Sequence, residues 1–357
     1  MLRDSAAGGR LNAWCELSVE DLSGRCPHAR VGLLTDPEGK GTDSSWSMWT
    51  PSSPHSTSWL TTFATPNHRE GDPRRRPAPE ASLSESEVIT LAIFARWSRF
   101  TSERDFYRYA TGHLTDAFPT LPERSQFNRL SRSCAELIEA FVLHLASLLT
   151  DARKCPYQGL DSSAMPTRDC KRRGHGWLAG RADIGWSNSI GWYEGFSLLT
   201  ATDPTGIITG FCFSAASTAE QSMAESFFAL RAHPNPRLSS VGSIGWGPYV
   251  ADKGFEGEEN HLRWQQSYGA EVIHPRKRNS RKPWSKRLRR WVAGIRQIVE
   301  SVYDKLFNAF GLWRERPHEL NGLRARLAAR VALHNFCIWL NDQLGRPRLA
   351  FADLLGW

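Results

Sequence analysis

The chain has 357 residues, of which 40% are hydrophobic and 23% charged, enough to bury one large core or two ordinary ones. No apolar run approaches the roughly 18 residues that cross a bilayer, and MLRDSAAGGRLNAW at the start lacks the apolar stretch of a secretory leader. A cytoplasmic location is the default expectation. The seven cysteines are an odd number without a C-x-x-C pair, which suits a reducing compartment. Cys155, Cys170 and His175 come nearest to a metal cluster, but their spacing fits no zinc pattern.

The formal charge is +8. Residues 1–80 carry 9 basic and 10 acidic residues, so all of the excess lies beyond them. Within 276–290, RKRNSRKPWSKRLRR, nine of fifteen residues are Arg or Lys and none is acidic. Such density attracts a polyanion and repels itself without one. A solvated loop and a targeting signal are the competing readings, because K/R-rich runs are unspecific on their own.

In chain order, residues 1–82 read as an irregular segment. Twelve of the twenty residues in 41–60 are Ser, Thr or Pro, and no hydrophobic period is sustained. Order is expected from Leu83, where Ser84 and Glu87 form a capping-box pattern ahead of an apolar run. SERDFYRYATGHL and PERSQFNRLSRSCAELIEAFVLHLASLL extend a helical block to about residue 150, either a DNA-binding head or a packing domain. YQGLDSS then reads as a strand ending at Asp161. GFSLLTATD and GIITGFCFSA flank a D-P-T-G turn and read as a hairpin. TAEQSMAESFFALRAH reads as a helix, SIGWGPYVADKGF as a strand turning at Asp252, and AEVIHP as another strand. Two long helices follow, LRRWVAGIRQIVESVYDKLFNAFGLW and GLRARLAARVALHNFCIWLNDQLG. Mixed in this order, strands and helices suggest an α/β core with helical additions.

Three carboxylates stand out. Asp161 and Asp252 each follow a strand-like run, and the carboxyl ends of strands face the crevice in which open α/β sheets do their chemistry. Either is also an ordinary turn residue. Glu300 lies about 100° from Val299, beside a stripe of Val292, Ile295, Val299, Val302 and Leu306. It shares a face with Arg296, Tyr303 and Phe307, so a carboxylate bordered by apolar groups needs a metal ion or Arg296 as partner. The bland alternative is an i,i+4 pair worth a few tenths of a kcal/mol. Three carboxylates can hold two divalent ions for in-line phosphoryl transfer, and Mg²⁺ suits such oxygen ligands.

YQGLDSSAMPT, KRRGHGW, GWYEGFSLLTATDPTGIITGF, VADKGFEGEEN and RRWVAGIRQIVESVYDKL, in this order, resemble bacterial insertion-sequence transposases of the DDE class. The resemblance covers about residues 83–357. It implies an RNase H-like mixed sheet flanked by helices, with a small all-helical domain at 83–150 before a catalytic domain at 151–357. The catalytic domain would hold the basic insertion at 276–290 and the C-terminal helices. Asp161, Asp252 and Glu300 fall where such enzymes carry their catalytic, metal-binding acids. The implied cofactor is Mg²⁺, two ions, with Mn²⁺ as a substitute. Cleavage at the element's ends would be followed by transfer of the 3′-hydroxyl into target DNA. The implied partners are double-stranded DNA, terminal inverted repeats, target DNA and further copies of the chain. That places the protein in the bacterial cytoplasm, on the nucleoid when bound to DNA. Some members carry a Tyr, Arg, Glu, Lys signature around the Glu; Arg296 and Glu300 match it, whereas Ala293 and Phe307 stand in the Tyr and Lys places. Lys305 is out of register. Residues 1–82 carry no family feature, as a frameshifted or mispredicted start would explain.

Lys171, Arg172, Arg173, Lys253, Arg276, Lys277, Arg278, Arg281, Lys282, Lys286, Arg287, Arg289, Arg290 and Arg296 are the expected DNA-backbone contacts. Trp177, Trp186, Trp192 and Tyr193 suit base stacking or core packing alike. His175 is a weak proton-transfer candidate. Asp183 and Asp203 rival the chosen acids, but a D-P-T-G turn accounts for Asp203. A nuclease that cuts without joining and an inactive DNA-binding relic are the alternatives to a transposase.

Overall fold

The computed structural model describes residues 82–97, 99–150, 155–168, 178, 180–232, 247–275 and 284–355. The expected irregular segment therefore lies outside the described residues, apart from Ser82.

Four helices come first: α1 (Glu85–Phe94), α2 (Glu103–His113), α3 (Arg124–Ser133) and α4 (Ala135–Leu149). Helix α1 begins with the anticipated capping box, Glu87 Oε2 accepting from the Ser84 N–H at 2.8 Å while Ser84 Oγ accepts from the Glu87 N–H. The run read from residue 122 to 149 is broken at Cys134 into α3 and α4.

Strands β1 (Gln158–Arg168), β2 (Asp183–Ser187), β3 (Gly191–Thr202), β4 (Ile208–Ala215), β5 (Tyr249–Ala251) and β6 (Val272–Ile273) form one mixed sheet. Its order is β2-β3-β1-β5-β6, with β4 also paired to β3. The β1–β3, β2–β3 and β3–β4 pairs are antiparallel; β1–β5 and β5–β6 are parallel. Strand β1 does not end at Asp161. It runs seven residues further because β3 continues to pair with it; only the pairing with β5 stops, at Leu160 opposite Ala251.

Helices α5 (Glu220–Ala232) and α6 (Glu258–Tyr268) cover one face of the sheet. There Leu160, Leu199 and Tyr249 pack with Phe227, Phe228 and Trp264. At the edge of that layer a polar network is buried: Arg231 donates to Gln158 Oε1 and to the Tyr249 hydroxyl, each at 2.9 Å. Helix α7 (Lys286–Asp304) covers the other face, with Val292 and Ile295 packed against Val250. A Cβ on Gly159 would stand 2.6 Å from Val299 Cγ2, so only glycine lets α7 approach β1 this closely.

The last long helix, α8 (Leu320–Gln343), closes the fold and ties the four N-terminal helices to the sheet. One apolar cluster contains Ile89, Phe106 and Phe141 from those helices, Leu198 from β3, Val299 from α7 and Leu333 from α8. Ion pairs reinforce the junction, among them Arg324–Glu139 at 2.8 Å and Arg326–Glu103 at 2.9 Å. Glu315 is buried among Arg96, Arg326 and Arg330. Burial alone would raise its carboxyl; the guanidiniums of Arg330, Arg96 and Arg326 outweigh that and hold it at about 2.

Candidate active site

Side chains alternate across a strand, so the neighbours of Asp161 and Asp252 reveal where each points. Gly159 faces Ile295 and Val299 of α7, and Asp161, two residues on, shares that face. Val250 packs on α7, and Asp252 follows it by two. Because Leu160 is opposite Ala251 in a parallel pair, Asp161 and Asp252 are the next residues on adjacent strands. The two aspartates thus emerge side by side beneath α7.

Backbone amides steady each carboxylate. The Ser162 N–H donates to Asp161 Oδ1 at 2.9 Å, and the Gly254 N–H donates to Asp252 Oδ1 at 2.6 Å. Asp252 thereby caps the short 3₁₀ turn Lys253–Phe255. Burial pushes the Asp161 carboxyl up, the negative charges of Asp252 and Glu220 add to the shift, and the Ser162 N–H and Arg296 act against it; the outcome is about 7.

Glu300 sits on the flank of α7, turned away from the buried stripe of Val292, Ile295, Val299, Val302 and Tyr303. Its side chain is 62% exposed, not hemmed in by apolar groups, because Val299 and Tyr303 take the buried side of the helix. Arg296 is its partner at 3.8 Å, and the same guanidinium acts on Asp161. Tyr303, one turn on, donates to the Asp161 carbonyl at 2.7 Å and to that of Leu198 at 3.1 Å. Glu300 is therefore linked to the aspartates through Arg296 and through its own helix. Beyond it a π-turn, Lys305–Ala309, shifts the helical register; Phe307 is buried there, and Lys305 pairs with Asp304 at 3.6 Å.

Sequence reasoning passed over Glu220, at the start of α5. Its carboxylate accepts a hydrogen bond from the Ser162 hydroxyl. No local pattern marks it; only the packing of α5 against the Asp252 turn brings it to the cleft. Among the described residues, no three His, Cys, Asp or Glu side chains are gathered into a ready-made metal site. The donor set nevertheless fits a hard cation: carboxylate and hydroxyl oxygens, two backbone-fixed aspartates, and a glycine at 254 that leaves room between carboxylates.

The remaining candidates divide. Lys253, Lys286, Arg287, Arg289, Arg290 and Arg296 are exposed, and all but the first lie on α7. Lys171, Arg172, Arg173, Arg276, Lys277, Arg278, Arg281 and Lys282 lie outside the described residues, as do His175 and Trp177. Trp186 and Trp192 face each other across the β2–β3 hairpin, 59% and 64% exposed with ring centroids 5.5 Å apart, whereas Tyr193 is buried. Asp203 accepts from the Thr205 and Ile207 amides, which accounts for it as a turn residue. Asp183 is exposed and accepts from the Ile184 N–H.

No curated relative and no solved structure matches the chain. Residues 160–336, which span Asp161, Asp252 and Glu300, match the family model of the transposase DDE domain. With its mixed sheet flanked by helices in RNase H-like order, this chain belongs to the DDE-class transposases.

Proposed function

We propose that the chain cuts DNA at the ends of an insertion sequence and joins the freed 3′-hydroxyl to target DNA, using Asp161, Asp252 and Glu300 to hold divalent ions. The observation that carries this reading is the pairing of Leu160 with Ala251, which sets the two aspartates on adjacent strands under the helix bearing Glu300.

Bound Mg²⁺ would supply an activated water or 3′-hydroxyl and charge stabilisation at the leaving oxygen. Asp161 and Asp252, fixed by the Ser162 and Gly254 amides, would form the strand side of the site. Glu300 would close it from α7 once its exposed side chain leaves Arg296 for the cleft. Arg296, so released, would face the DNA backbone. Four of the first five residues of α7, Lys286, Arg287, Arg289 and Arg290, are cations near the positive end of a helix dipole, an unfavourable place for them. A polyanion laid across this end relieves that repulsion, which supports duplex DNA as the partner. Bringing two element ends together calls for at least two copies of the chain on DNA. Such chemistry belongs in the cytoplasm, and no helix among the described residues is long and apolar enough to cross a membrane.

The test is incubation of purified full-length protein with duplexes carrying the terminal repeats that flank its own gene, in Mg²⁺ and in chelator. Joined products dependent on Mg²⁺ support transposition. Nicks without joined product would reduce the proposal to a nuclease, and DNA retention with neither would reduce it to a relic.

A further inference from the structure

The proposed site contains an acid that the triad leaves unused. Glu220, the first residue of α5, is half-buried, and its carboxylate accepts from the hydroxyl of Ser162, the residue after Asp161. On its other side lies the turn that carries Asp252. A Cβ built on Gly254 would stand 1.9 Å from Glu220 Oε2 and 3.0 Å from Asp252 Oδ1, so both carboxylates crowd one point that glycine leaves open. The placement is enforced by its neighbours: Gln221 donates to the Glu256 carbonyl at 2.6 Å, and Asn260 donates to Gln221 Oε1 at 2.9 Å. These bonds lock the first turn of α5 against the 252–260 segment.

An acid in the first turn of a helix gains a modest dipole stabilisation, and that would explain a glutamate pointing to solvent. It does not explain one held by the residue after Asp161 and crowded against the Asp252 turn, where like charge opposes it. Arg296 is the cation acting on Asp161 against the charges of Asp252 and Glu220. That guanidinium is shared with Glu300, its partner at 3.8 Å, so acid is in excess over base around Asp161. Glu300 is carried by α7, which covers one face of the sheet, and Glu220 by α5, which covers the other.

We propose that Glu220 is a fourth acidic ligand, closing from the α5 side the divalent-cation site that Asp161 and Asp252 open. This rests on the proposed metal-dependent reading of those aspartates. The Ser162 hydroxyl holds the carboxylate in place until a cation takes it over, and Gly254 keeps its seat free of side-chain atoms.

Mn²⁺ binding to the full chain without DNA, followed by calorimetry and by electron paramagnetic resonance, tests this for wild type, Glu220→Gln, Gly254→Ala, Asp161→Asn and Asp252→Asn. Glu220→Gln and Gly254→Ala should each weaken Mn²⁺ binding by at least tenfold, with the cation-free melting temperature of Glu220→Gln unchanged or raised. Wild-type Mn²⁺ affinity in Glu220→Gln, while Asp161→Asn and Asp252→Asn lose it, would overturn the role of Glu220 and leave the aspartates standing. Wild-type affinity in all four variants would overturn the metal-dependent reading itself. Should Glu220→Gln fail to fold, Glu220→Asp keeps the charge on a shorter arm and should weaken Mn²⁺ binding likewise; unchanged affinity there would also count against the inference.

Discussion

The hydroxyl of Tyr303 donates to the backbone carbonyl of Asp161 at 2.7 Å, binding the helix that carries Glu300 to the strand that carries the first aspartate. The same hydroxyl reaches the Leu198 carbonyl on β3. One buried phenol thus sets the height of α7 over the sheet at the candidate site.

Tyr303→Phe removes both bonds, one to a buried carbonyl and one to a partly buried one. We expect a loss of about 1–2 kcal/mol in stability. Cleavage should slow by more than the fraction unfolded accounts for, while DNA binding holds. Denaturant unfolding and single-turnover cleavage on the same preparation separate the two effects; an unchanged cleavage rate would show that this bond does not align the site.

Gly159→Ala inserts a methyl into a gap that Val299 already fills. Lifting α7 off β1 should cost about 1–3 kcal/mol by overpacking. A compensating Val299→Ala substitution should recover part of that loss, and thermal melts of the single and double variants measure it.

Neutralising Asp161 should stabilise the protein free of divalent ions. The carboxylate is desolvated beside Asp252 and Glu220, so Asp161→Asn relieves a repulsion that function retains. The melting temperature in chelator should rise, and added Mn²⁺ should raise it further in wild type but not in the variant. A lower melting temperature in chelator would mean that Asp161 is structurally required.

Acid should unfold the junction between the helices and the sheet. Glu315 has a folded pKa near 2 against about 4.5 unfolded, so its contribution is fully present above 4.5 and is lost as pH falls toward 2. His334, buried against the Gly206 carbonyl, has a folded pKa near 4 because burial disfavours its charged form. The neutral ring is therefore a stabilising feature above pH 6.5 that disappears as pH falls toward 4. Glu315→Gln, which takes the carboxylate from Arg96 and Arg330 and leaves Arg326 with Glu103 alone, should cost about 3–5 kcal/mol at neutral pH and flatten the acid limb of the stability curve.

Much of this was legible in the sequence because local chemistry decided it. Ser84 and Glu87 mark a helix start in any context, and the D-P-T-G turn holds β3 to β4 through Asp203. Asp161 and Asp252 were visible as acids after apolar runs, although the strand end at Asp161 was misplaced because pairing with β3 outlasts pairing with β5. Glu220 and Tyr303 could not be found in this way. Nothing in the spacing of either residue differs from an ordinary helix; their significance comes from contacts across 58 and 142 residues of chain. The exposure of Glu300 likewise depends on which flank of α7 the sheet covers, which Gly159 decides from another element.

The most direct measurement is single-turnover cleavage in Mg²⁺ of a duplex bearing the element's end by Asp161→Asn, Asp252→Asn and Glu300→Gln, with retention of the same DNA recorded in parallel. Each substitution should lower the cleavage rate by about a thousandfold or more while the DNA remains bound, because the three acids act as one unit. Glu300→Gln cleaving within a few-fold of wild type would contradict the account, since it would leave α7 with no part in the chemistry.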